Sequence, residues 1–194
     1  MRFRVFGLMA FATAVVFFFT LTSTAHVMTV EAGAQTAPAA KAANSPILSE
    51  KNPAILAQLM RGIMLPNSNV IFFAESKDPA AVPQAKNASG AINPLEGVYG
   101  HWEAVENSSL AIAEASNLLE VPGRVCSNGR PVPVNKDDWA KLVEGLREAG
   151  IRSYLAAKTK DQDKLNDAGD LMTTACSNCH VKYRDTAKLE DRCK

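Results

Sequence analysis

Cys176-Ser177-Asn178-Cys179-His180 lies close to the end of a 194-residue chain, and the reading of the whole molecule turns on it. Two thiols separated by two residues, with a histidine immediately after, form the pattern of a c-type haem attachment site. Each thiol can add across one vinyl group of the macrocycle, and the adjacent imidazole can then serve as an axial iron ligand. The same Cys-x-x-Cys spacing also fits a redox disulfide or half of a zinc site. A four-cysteine zinc site needs a second matching pair, whereas Cys126 and Cys193 stand alone. A thioredoxin-type motif needs a βαβ setting, and no strand pattern is found near these residues.

The N-terminus agrees with a cofactor attached outside the cytoplasm. Arg2 and Arg4 precede a long apolar run that includes Val15-Val16-Phe17-Phe18-Phe19, followed by small residues. This is the pattern of a secretory signal, with cleavage expected after Ala25 or after Ala34. The apolar run also approaches spanning length, so an uncleaved membrane anchor is the alternative. The expected division is a signal segment over 1–34, an Ala-rich flexible linker over 35–49 and a folded domain over 50–194, with a periplasmic or otherwise exported location. Charge is nearly balanced, 21 basic against 20 acidic residues, which argues against a nucleic-acid partner.

Within the domain, apolar spacing predicts four helices and no strands. The first begins near Asn52-Pro53, with Asn as N-cap and Pro in the first turn, and carries Ile55, Leu56, Leu59, Met60, Ile63 and Met64. Pro66 is expected to kink it before Val70-Ile71-Phe72-Phe73. A loop over 77–94 contains three prolines. The second helix is expected over 95–120, with Val98, Trp102, Val105, Ile112, Ser116 and Leu119 inward and Pro122-Gly123 as its stop. A loop over 121–135 carries Cys126. The third helix starts between Asn135 and Asp138 and carries Trp139, Leu142, Val143, Leu146, Ile151, Tyr154 and Leu155. The fourth starts near Asp161, with Leu165, Ala168, Leu171, Met172, Ala175, Cys179 and Tyr183 on one side. The expected fold is all-α, an antiparallel four-helix bundle with covalently attached haem on the last helix.

The segment from Cys176 through Tyr183-Arg184, on the last of four helices, resembles that of the class II c-type cytochromes, the cytochrome c′ family. The resemblance covers about residues 50–187. It implies a mono-haem domain in which Cys176 and Cys179 form the thioethers and His180 is the proximal iron ligand. Arg184, one turn beyond, would contribute to the proximal haem environment or else be a solvated arginine, and Tyr183 is expected to pack. The sixth position is open. In low-spin members a methionine from helix one binds iron; here Met60 and Met64 lie one turn apart, and both are candidates, although methionines on an apolar stripe also simply fill a core. In high-spin members a bulky apolar residue four positions after an arginine blocks this face; here Arg61 and Leu65 have that spacing, with Pro66 directly after. His101 is a further candidate ligand.

These readings imply an electron carrier cycling between Fe(II) and Fe(III), with redox partner proteins and no catalytic residue. A thioether ligand would raise the potential and favour that role. The alternatives are a five-coordinate gas-binding haem protein for NO or CO, and a non-haem helical bundle stabilised by disulfides or zinc. No distal acid–base set suggests a peroxidase. Membrane association is expected only if the signal segment is retained, and the resemblance allows a homodimer. Cys126 and Cys193 either pair with each other, in an oxidising compartment, or remain unpaired or pair between molecules.

Overall fold

The computed structural model describes residues 51–193; the expected signal segment and the whole of the expected linker lie outside them. Five α-helical segments make four rods: α1 (Leu56–Leu59) and α2 (Leu65–Ser76), joined without a break by a π-helical turn at Met60–Met64, then α3 (His101–Ser116), α4 (Asp137–Thr159) and α5 (Gln162–Cys179), which continues into a second π-helical turn at His180–Arg184. Among the described residues there is no β-strand, only an isolated bridge between Val125 and Pro131. No helix among them is long and apolar enough to cross a membrane.

Side-chain contacts fix the directions. Gln162, at the start of α5, donates to the Ala74 carbonyl near the end of α2 (2.8 Å). Trp139, at the start of α4, donates from its indole to the Leu119 carbonyl just beyond α3 (3.1 Å). Only Lys160 and Asp161 separate α4 from α5. Lys160 takes the left-handed conformation at the end of α4, and the Asp161 carboxylate caps α5 by accepting from the Lys164 amide. The rods are therefore antiparallel. α3 packs on α4 and α4 on α5, and the α1–α2 rod closes the ring against α3 and α5.

The first helix begins at Leu56 rather than at Pro53. The preceding backbone is extended at Ile55 and lies against the loop after α3, where Leu56 donates its amide to the Val125 carbonyl (2.9 Å). Asn52 donates to the Pro122 carbonyl (2.9 Å) instead of capping the helix, and buried Arg124 donates to the Ala54 carbonyl (2.5 Å). At Pro66 the helix widens instead of breaking. Proline has no N–H to give to the carbonyl four residues back. The Leu65 amide reaches Met60, five residues back, and the Asn67 side chain takes the Ile63 carbonyl (2.8 Å).

The second helix starts at His101, not Leu95. Asn93 caps a short 3₁₀ turn over Pro94–Glu96, and the chain then folds back so tightly that a Cβ on Gly100 would lie 2.4 Å from the Leu95 carbonyl oxygen. Val98, expected to face inward, is consequently 69% exposed. Ile151 and Leu155 on α4 and Leu171 on α5 are also exposed. The buried faces there are made by small residues: Ala149, Gly150, Ser153, Ala156 and Ala157 on α4, and Ala168 and Gly169 on α5. A Cβ built on Gly150 would meet the Ser109 carbonyl and the Ala113 amide at 3.0 Å each, so the α3 backbone lies directly on α4.

This contact yields a paired prediction. Gly150→Val should destabilise the domain by roughly 1–3 kcal/mol through overpacking. Gly145→Ala, in the same helix with nothing within 4 Å, should stabilise it by about 0.5–1 kcal/mol. Urea unfolding of the two variants measures both, and the same sign for both would refute the close approach of α3 and α4.

Candidate cofactor site

Where the small-residue faces give way to larger side chains, the rods part around a cavity of about 570 Å³. This lies within the ~300–1,000 Å³ range of small-molecule and cofactor sites. Its walls come from every rod: Leu56, Met60, Arg61, Met64, Leu65 and Phe72 from the first, Ile112 and Leu119 from the second, Trp139 to Leu146 from α4, and Ala175, Cys176, Cys179, His180, Tyr183 and Arg184 from the last. The lining is mostly apolar. Both π-helical turns, Met60–Met64 and His180–Arg184, contribute to it, in keeping with the frequent placement of such turns at functional sites.

The structure thus brings together Cys176, Cys179, His180, Arg184, Met60, Met64, Arg61 and Leu65. Met64 is buried, Met60 is half-buried and Leu65 is 54% exposed. His101 stays out: it lies at the other end of α3, more than about 25 Å along the helix axis from Leu119. There its Nε2 pairs with the Val82 carbonyl (2.9 Å), so it is withdrawn as a candidate ligand. Cys126 and Cys193 are joined in a disulfide, with Cα atoms 5.0 Å apart across 67 residues of sequence.

Burial acts on all three residues of the motif. It pushes the Cys179 thiol up to about 11, with a further push from Cys176. It raises Cys176 too, against the opposing pull of Arg184. It lowers His180, helped by Arg184 and opposed by Asp185. Desolvation disfavours the charged form of each group, so neutral thiols and a neutral imidazole face the cavity. Arg184 forks onto the neighbouring Asp185, Nε to Oδ1 at 2.9 Å and Nη2 to Oδ2 at 2.7 Å.

Sequence reasoning missed the junction that holds this wall. Tyr183 donates its hydroxyl to Asp138 Oδ1 (2.8 Å) in the first turn of α4, and its ring meets Trp139 edge-on at 4.9 Å. Its carbonyl accepts the amide of Cys193 (2.8 Å), one of the two disulfide cysteines. Lys182 forms an ion pair with the other Asp138 oxygen. The only local clue is that Tyr183 follows His180 by three residues. Asp138 is 45 residues away in sequence, and no periodicity connects the two.

No protein-family model, curated protein or solved structure matches the chain.

The hydrogen bonds from Lys182 and then Tyr183 hold the Asp138 carboxyl down to about 2, from an ordinary 3.8. A depressed native value stabilises above the unfolded value, and that contribution disappears as the pH falls through the native one. It should therefore be complete above about pH 4 and vanish toward pH 2. In that window the melting temperature of the unmodified protein should fall more steeply than that of Asp138→Asn, and the curves should run parallel at neutral pH. Equal slopes in the acid window would show that the carboxylate does not hold the junction.

Proposed function

We propose that the domain is an exported mono-haem c-type cytochrome of the cytochrome c′ type that carries single electrons. The observation that carries this reading is the placement of Cys176, Cys179 and His180 on one side of a mostly apolar cavity that Met60 and Met64 also line. The volume and lining suit a flat apolar macrocycle. Among the described residues no three His, Cys, Asp or Glu side chains converge to hold a metal ion by themselves. The donor set instead suits an iron already carried by a macrocycle, which His180 and a methionine would hold.

The chain's own part in the chemistry follows from its residues. Cys176 and Cys179 would hold a haem covalently: each thiol would add across one vinyl C=C, sulfur to one carbon and the thiol hydrogen to the other, with nothing oxidised or released. His180, whose partial burial favours the neutral imidazole, would offer a lone pair to the iron. Arg184 supplies positive charge to the same side, tempered by Asp185. Met60 or Met64, which line the same cavity, would supply a thioether ligand. Bound haem would contribute the Fe(II)/Fe(III) couple. The methionines favour electron transfer over the gas-binding reading, because Met64 is buried at the cavity while Leu65, the candidate distal block, is 54% exposed.

Expression of the full chain with a c-type maturation system should yield haem that survives denaturing extraction, and Cys176→Ala with Cys179→Ala should abolish its retention. No covalent haem on the unmodified chain would leave the non-haem bundle as the reading. Met60→Leu and Met64→Leu, made separately, should leave one variant low-spin and convert the other to a high-spin, CO-binding form of lower potential. A high-spin, CO-reactive unmodified protein would point to gas binding instead.

A further inference from the structure

Beside the large cavity lies a second one, of about 300 Å³, that differs from it in chemistry. Its walls include Arg130, Lys136, Lys182 and Arg192, against a single acidic residue, Asp191. The whole chain has a formal net charge of only +1, so this corner concentrates positive charge that is balanced elsewhere. Neighbouring carboxylates neutralise part of it. Asp191 pairs with Arg130 at 2.9 Å, and Asp138 pairs with Lys182. Arg192 donates its Nε to the Thr186 carbonyl (2.7 Å) and its charge also acts on Asp185, which leaves Lys136, exposed and without a carboxylate partner among the described residues, as the cation free to meet an anion. The side chains of Arg130 and Lys182 are 53% and 54% exposed, so their charge faces solvent.

Tyr183 and Cys193 line both cavities. A group seated in the basic cavity is thus separated from the candidate cofactor cavity by these shared side chains. We infer that the basic cavity is the docking socket for carboxylate side chains of an acidic redox-partner protein, with Tyr183 as the wall between the partner and the cofactor. The inference deepens the electron-carrier reading and rests on it. Charge complementarity of this kind steers encounter and sets orientation, and it weakens with salt.

The socket can be tested by NMR on the full-length protein with a poly-L-glutamate oligomer as the probe. Saturable shifts should concentrate on the amides around 130–136 and 182–192, and affinity should fall several-fold from low to physiological ionic strength, where the Debye length is about 8 Å. Lys136→Glu, which removes no side-chain hydrogen bond or ion pair among the described residues, should weaken binding several-fold. In the haem-loaded protein, poly-L-glutamate should slow oxidation by ferricyanide, and Lys136→Glu should relieve that inhibition. Absence of shifts at this corner, or unchanged binding by Lys136→Glu, would overturn the socket. Inorganic phosphate binding as tightly as the polymer, charge for charge, would make it a small-anion pocket and overturn the partner assignment. Glutamate binding by a protein that never retains haem would support an acidic partner while removing the electron-carrier reading alone.

Discussion

The end of the last rod is held in place by one side chain. Tyr183 reaches sideways to the start of α4 through its hydroxyl bond to Asp138 and its edge contact with Trp139. Its carbonyl holds the amide of Cys193, which the disulfide ties to Cys126 in the loop after α3. Three parts of the chain that are far apart in sequence thus meet within one residue of the wall carrying His180. The phenol is raised above its ordinary range, by burial first and by Asp138 second, so it remains a donor throughout the physiological range. Without this junction, His180–Arg184 would be the frayed end of a helix. With it, the turn is fixed against both a neighbouring rod and a covalent crosslink.

The cavity and the closeness of the rods elsewhere follow from one contrast in side-chain size. Around Gly150, Ser109 and Ala113, two backbones lie in contact, whereas Gly169 leaves room for the Glu75 side chain of α2 to lie across it. Further along the bundle the facing residues are Trp139, Val143, Leu146, Ile112, Leu119 and Phe72, whose bulk spaces the rods around a hollow. The π-helical turn at Met60–Met64 falls in this region because Pro66 cannot supply the amide that an α-helix requires. The Asn67 side chain serves the carbonyl that the shift leaves behind. Proline therefore acts on the site by changing helical register upstream of itself, at the residues that line the cavity.

Much of the bundle was legible in the sequence, because long amphipathic segments bury the residues their spacing selects. Trp102, Val105, Ile112, Leu119, Trp139, Val143, Leu165 and Met172 are all buried. The failures share a physical cause. Hydrophobicity selects large residues, whereas closely packed rods bury small ones, so the spacing predicts Ile151, Leu155 and Leu171 inward while Gly150, Ser153 and Ala157 are the buried residues of α4. Helix starts failed where a long-range bond outbid a local cap. Asn52 serves the Pro122 carbonyl, 70 residues away, rather than the helix beside it. The motif residues and both methionines were legible as a set because spacing alone places them on two helix faces. Tyr183's partner was not, since nothing local distinguishes Asp138 from Asp137.

Desolvation links the fold to the chemistry proposed for it. Partial burial in the cavity wall raises both thiols and lowers the imidazole, three effects with one leading cause. An exposed Cys-x-x-Cys pair would be partly ionised in mildly alkaline conditions and open to oxidation into a disulfide, since the thiolate is the reactive form. Burial keeps Cys176 and Cys179 as thiols, the form that carries the hydrogen needed for addition to a vinyl group. It also leaves His180 with a free lone pair instead of a second proton. Arg184 adds to this by disfavouring a positive imidazole, and the negative charge of Asp185 opposes it. The protonation states that suit haem attachment thus follow from packing, and packing at this wall follows from Tyr183.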